Sequence, residues 1–115
     1  MKQLIFCGIL VSFFAGAALA HPPSEIKLQF NPVKHILEVM VMHDVQDSSK
    51  HYVGQIKVEI NGQEAVKQVF LQQTDRKEQW VSYVLLDAKP GDEITVKADC
   101  NMFGSRKQTL KVTAP

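Results

Sequence analysis

From residue 25 onward, apolar and polar residues alternate in short runs broken by turn-forming residues. Ile26, Leu28 and Phe30 alternate with Lys27 and Gln29, and Asn31-Pro32 ends that run, since proline removes a donor and restricts its predecessor. Ile36 to Met42 is almost wholly apolar, which predicts a strand paired centrally or covered on both sides. Tyr52, Ile56, Val58 and Ile60 are expected on one face of a third strand, opposite Gln55, Lys57 and Glu59. Asn61-Gly62 marks a tight hairpin, because both residues tolerate positive φ. A fourth strand is expected over about Ala65–Gln72, a fifth over Trp80–Leu86, and a charged loop over Thr74–Glu78 between them. After the Lys89-Pro90-Gly91-Asp92 turn, Ile94, Val96, Ala98 and Cys100 share one face, and Leu110 and Val112 give a short last strand. No segment carries a convincing 3.6-residue period. About seven strands at this spacing predict an all-β, immunoglobulin-like antiparallel sandwich without the usual cysteine pair.

The first twenty residues break this pattern. Lys2 is followed by an apolar run from Leu4 through Phe14, and then by small residues ending in Ala18-Leu19-Ala20. This is the charged start, apolar stretch and cleavage site of a secretory leader. The expected organisation is a signal peptide over 1–20 and a single β-sandwich domain over 21–115. The mature protein would be periplasmic or secreted, starting at His21, with no stable membrane anchor. Lys2 is the leader's only charged residue, so the remainder has twelve Lys+Arg against twelve Asp+Glu. A neutral chain with scattered charge gives no electrostatic case for nucleic acid or an anionic membrane.

Cleavage would also remove Cys7 and leave Cys100 as the lone thiol in an oxidising compartment. Such a thiol is expected to be buried, paired between chains or bound to a metal. Four histidines accompany it, at positions 21, 35, 43 and 51. His21 begins the mature chain, His43 ends the apolar strand, and His51 opens the next strand after a polar loop. Strand ends of a sandwich gather at its two edges, so these residues can meet although they are distant in sequence. Imidazole and thiolate together suit iron, copper or zinc. Surface histidines beside a buried, inert cysteine are the plain alternative. No CxxC pair or HExxH helix is present.

Cys100-Asn101-Met102-Phe103-Gly104, at the end of the penultimate strand, resembles the Cys-Asn-x-x-Gly iron-binding segment of superoxide reductases and desulfoferrodoxins. His21-Pro22-Pro23 is similar to that family's His-x-Pro element. His43, a polar loop and His51-Tyr52-Val53 resemble its paired-histidine segment. The resemblance implies an immunoglobulin-like domain with a mononuclear iron, held by histidines in a plane and one axial cysteine. His21, His43, His51 and Cys100 would be the ligands. Its activity would be one-electron reduction of superoxide, with an electron donor that the sequence does not identify.

The chain departs from that pattern at several positions. Phe103 stands where the family has a further histidine, Asp44 where it has a proline, and Ala20 where it has a lysine before the first histidine. The loop between His43 and His51 is also longer than the family's. A mature His21 would offer its α-amine beside its imidazole, which would replace the nitrogen lost at Phe103. Lys50 is the nearest residue able to attract an anion, and His35 reads as a surface residue. Copper is the alternative metal. The alternative functions are a non-catalytic periplasmic metal carrier and a metal-free protein-interaction module.

Overall fold

A computed structural model describes residues 21–115. The expected leader, with its cleavage site and Cys7, lies outside the described residues. Seven strands follow one another: β1 Glu25–Asn31, β2 Ile36–Met42, β3 Val53–Ile60, β4 Gln63–Val69, β5 Glu78–Val84, β6 Glu93–Cys100 and β7 Ser105–Lys111. They form two antiparallel sheets, ordered β1-β2-β5 and β4-β3-β6-β7, and the described residues contain no helix. The all-β sandwich expected from the sequence is therefore present.

The inward residues of each strand explain why the sheets stack. Leu37, Val39 and Val41 of β2 are fully buried and face Val53, Ile56 and Val58 of β3 and Ile94, Val96 and Ala98 of β6. Burying each of the larger side chains contributes about 1.5–3 kcal/mol. β2 is the central strand of its sheet, in keeping with a run that is apolar except at the exposed Glu38.

Three local features differ from the expectation. A register shift between Val53 and Gln55 puts Val53, not Tyr52, on the buried face with Ile56. β4 starts at Gln63, because positive φ at Asn61 (51°) and Gly62 (83°) closes a two-residue hairpin that pairs Ile60 directly with Gln63. β7 begins at Ser105, well before Leu110, and pairs in register with β6.

The pairing fixes where the strand ends lie. Glu25 at the start of β1 sits opposite Met42 at the end of β2, and Val53 at the start of β3 sits opposite Cys100 at the end of β6. The segments carrying residues 21, 43, 51 and 100 therefore emerge at strand ends, beside one another in pairs.

Candidate metal centre

Each of these segments is held by specific bonds. His21 belongs to an extended stretch ahead of β1. The Arg106 Nε–H of β7 donates to Pro23 O at 2.8 Å, and Ser24 N–H donates to Met42 O at 2.8 Å. His43 directly follows β2, and its N–H donates to Lys77 O at 2.9 Å. The loop to His51 is closed by Asp47. Its carboxylate accepts from Ser49 N–H (3.0 Å) and Ser49 Oγ–H (2.6 Å), and its carbonyl accepts from His51 N–H (3.0 Å). These bonds from Ser49 hold the Asp47 carboxyl below its usual pKa. Cys100 N–H donates to Gly104 O at 2.9 Å, which closes the turn after β6.

The three histidines converge. Ring centroids lie 5.0 Å apart for His21–His43, 5.2 Å for His21–His51 and 4.7 Å for His43–His51, all edge-to-face. One nitrogen from each lies within 4.8 Å of the others. His43 is fully buried, and His21 and His51 are half-buried. The buried Cys100 Sγ is 3.2 Å from His51 Nε2 and accepts from Met102 N–H at 3.4 Å. The thiol therefore adjoins the trio through His51.

This donor set fits a metal cation. His43 Nε2 lies 3.2 Å from His21 O. His21 has carbonyl oxygens 3.0 Å from both ring nitrogens, those of Pro22 at Nδ1 and Asp44 at Nε2. A neutral imidazole donates through one nitrogen only, so a lone pair is left facing a carbonyl oxygen. Three protons in one cluster would repel. The His51 pKa is accordingly lowered, first by its partial burial and then by the neighbouring His43 and His21. A single cation satisfies the nitrogen lone pairs without that repulsion, and imidazole with thiolate selects a transition metal.

The remaining expected residues fall elsewhere. His35 lies in the turn after β1 with φ of 59°, beside Phe30 and away from the cluster. Phe103 is 64% exposed on the turn after Cys100. Lys50 and Arg76 line an open cleft of about 790 Å³ that also takes in His21, His51, Asp44, Asp47 and Met102.

Two more residues position the site: Gln73, which carried no signal in the sequence, and Gly104, which ends the Cys-Asn-x-x-Gly segment. Gln73, in the loop between β4 and β5, is buried against His43. Gly104, with φ of 84°, lies so close to Pro22 that a Cβ there would sit 2.7 Å from Pro22 Cβ. Asn101 gains a reason for its place after the cysteine. Its Nδ2–H donates to Lys50 O (3.0 Å) and its Oδ1 accepts from Tyr52 N–H (2.8 Å), so it grips the backbone on both sides of His51.

Among solved structures the chain is similar to a superoxide reductase. That protein is the 1Fe-SOR of Giardia intestinalis, with 22% sequence identity and a TM-score of 0.56 over 81% of this chain and 98% of the other. The similarity establishes a common fold. No family model and no curated protein sequence matches the chain.

Proposed function

We propose that this chain is an exported metalloprotein in which His21, His43, His51 and Cys100 hold one redox-active metal ion, iron in the first reading, and that it reduces superoxide. The observation that carries this reading is the meeting of His21, His43 and His51 at one end of the sandwich, with Cys100 against His51. The superoxide reductase-like fold supports it. Ferrous iron, when bound, supplies one electron to superoxide, which takes up two protons and leaves as hydrogen peroxide. An external donor of unidentified nature returns the electron.

The chain's own residues supply the rest. His43 is a fully buried anchor, while half-buried His21 and His51 border the open cleft. Lys50 and Arg76 stand on the cleft wall as the cationic groups nearest the cluster, with Asp44 and Asp47 balancing their charge. The Met102 N–H donates to Sγ at 3.4 Å and ties the sulfur to the turn after β6. Copper is the second metal compatible with this donor set.

A second reading rests on Phe103. A phenyl ring has no donor atom, so the cluster lacks the further nitrogen that the sequence resemblance implies. Binding without turnover follows if the ion's potential or access is unsuited to superoxide.

Anaerobic metal analysis of protein purified from an exporting host is the first test. Stoichiometric iron or copper that is lost in His43→Ala and spectrally altered in Cys100→Ser supports the centre. Absence of any retained metal refutes it and leaves a metal-free interaction module. Superoxide consumption by the reduced, loaded protein after pulse radiolysis then separates a reductase from a carrier.

A further inference from the structure

Gln73 makes four side-chain hydrogen bonds, and three of their partners are backbone groups with no choice of role. Its Nε2 lies 2.7 Å from His43 O and 3.0 Å from Asp75 O, and both carbonyls can only accept. Its Oε1 lies 3.1 Å from Val53 N, which can only donate. The amide orientation is therefore fixed by the backbone: oxygen toward Val53, nitrogen toward the carbonyls. The fourth contact, His43 Nδ1 at 2.9 Å from Oε1, then has one solution. Nδ1 must carry the proton and donate it.

His43 Nε2 also faces an acceptor, His21 O at 3.2 Å, so in neutral His43 the two contacts compete for one proton; the shorter, buried bond to Gln73 takes it and leaves the lone pair on Nε2. We infer that Gln73 is a positioning residue that locks His43 into its Nδ1–H tautomer and so commits Nε2 to metal binding. The inference rests on the metal-centre reading for its consequence, and on hydrogen bonding alone for the tautomer.

The placement makes the lock rigid. Gln73 is 2% exposed, so water does not compete for its amide. Its own N–H donates to Ser48 O at 2.9 Å, in the loop that leads to His51. The residue thus joins the end of β2, the start of β3 and the loop between them. Free imidazole favours the opposite tautomer, so the proton's place here reports the protein's influence. Ligand histidines held in this way lose about 10- to 100-fold in metal affinity when the partner is removed.

Long-range 15N–1H NMR of His43 in the metal-free protein, recorded as a pH series into the alkaline range, reads the tautomer directly. Wild type is expected to show Nδ1–H. Gln73→Met, similar in volume, should lose that preference and bind cobalt(II) about 10- to 100-fold more weakly. Gln73→Glu keeps an acceptor for His43 and Val53 but loses both donors. It should keep the Nδ1–H tautomer and cobalt affinity within a few fold, although its unfolding midpoint falls. An Nε2–H tautomer in wild type overturns the inference whether or not Gln73→Met folds. So does a Gln73→Met protein with unchanged tautomer and affinity, which would make Gln73 merely structural. Wild type that binds no cobalt yet shows Nδ1–H refutes the metal-centre reading and leaves the tautomer lock standing.

Discussion

Gly104→Ala separates the backbone's demand at the turn from its effect on the histidine cluster. Gly104 has φ of 84°, where an L side chain costs about 1 kcal/mol or more. Its added Cβ would also meet Pro22 Cβ at 2.7 Å, Cγ at 3.2 Å and Cα at 3.3 Å. Ordinary contact begins at 3.4 Å, so Pro22 must retreat by several tenths of an ångström. Pro23 on its far side is fully buried and bonded to Arg106, so the stretch cannot slide freely. The displacement falls on His21, the next residue. Gly62 is the control, with φ of 83° and nothing within 4 Å of an added Cβ.

Gly62→Ala should lose about 1 kcal/mol by urea denaturation of the metal-free protein, and Gly104→Ala more, since it adds the overlap with Pro22 to the same backbone strain. Only Gly104→Ala should bind cobalt(II) more weakly, by about 10- to 100-fold, as when a ligand's support is disturbed. Equal stability loss with equal, unchanged cobalt affinity in the two variants would show that the Pro22 contact does not place His21.

Asn101→Ala removes both clasps on the residues flanking His51. The bonds are exposed, so stability should fall by only about 1 kcal/mol, while cobalt(II) titration should show a disproportionate loss of affinity. Tyr83 Oη is buried with no hydrogen-bond partner among the described residues, so Tyr83→Phe should leave stability unchanged or raise it by about 1 kcal/mol in a thermal melt. Burial also raises the Tyr83 pKa from 10.0 to about 12. Between those values the unfolded chain releases a proton that the folded chain keeps. The stabilising share is therefore complete below pH 10.0 and is lost as pH rises toward about 12. Urea midpoints of Tyr83→Phe should decline less over that window. One extra residue ahead of His21 in the mature protein should weaken metal binding if the α-amine is a donor, and unchanged affinity in a competition titration removes the amine from the site.

Strands whose sides differ in polarity were legible in the sequence; those set by pairing alone were not. β2 and β6 each carry an inward apolar row, and their bounds follow from it. β7 reads Ser-Arg-Lys-Gln-Thr-Leu-Lys, an exposed edge strand with almost no apolar residue to betray it, and only its register with β6 makes it a strand. The shift at Val53 is equally silent, because one extra residue moves the buried face without changing composition. The site divides in the same way. His21, His43, His51 and Cys100 were recognisable as soft donors at strand ends, since chemistry and position coincide there. Gln73 lies in a polar loop where an exposed glutamine is the ordinary expectation, and its burial appears only when β2, β3 and the loop are brought together.

That contrast bears on how the centre holds its shape. Two carboxamides do similar work from opposite sides: Asn101 fixes the backbone around His51, and Gln73 fixes both the backbone and the ring of His43. A carboxamide suits this place because it donates and accepts at once and carries no charge. A carboxylate there would satisfy the N–H groups and leave the carbonyls unpaired; a lysine would do the reverse. His21 has no carboxamide clasp: its ring meets only the Pro22 and Asp44 carbonyls, and its backbone depends on Pro22, Pro23 and Arg106 for its position. Of the three histidines it is the one that no side-chain carboxamide supports. Substitutions around residues 22, 104 and 106 should therefore alter the centre before substitutions around His43 of equal thermodynamic cost do.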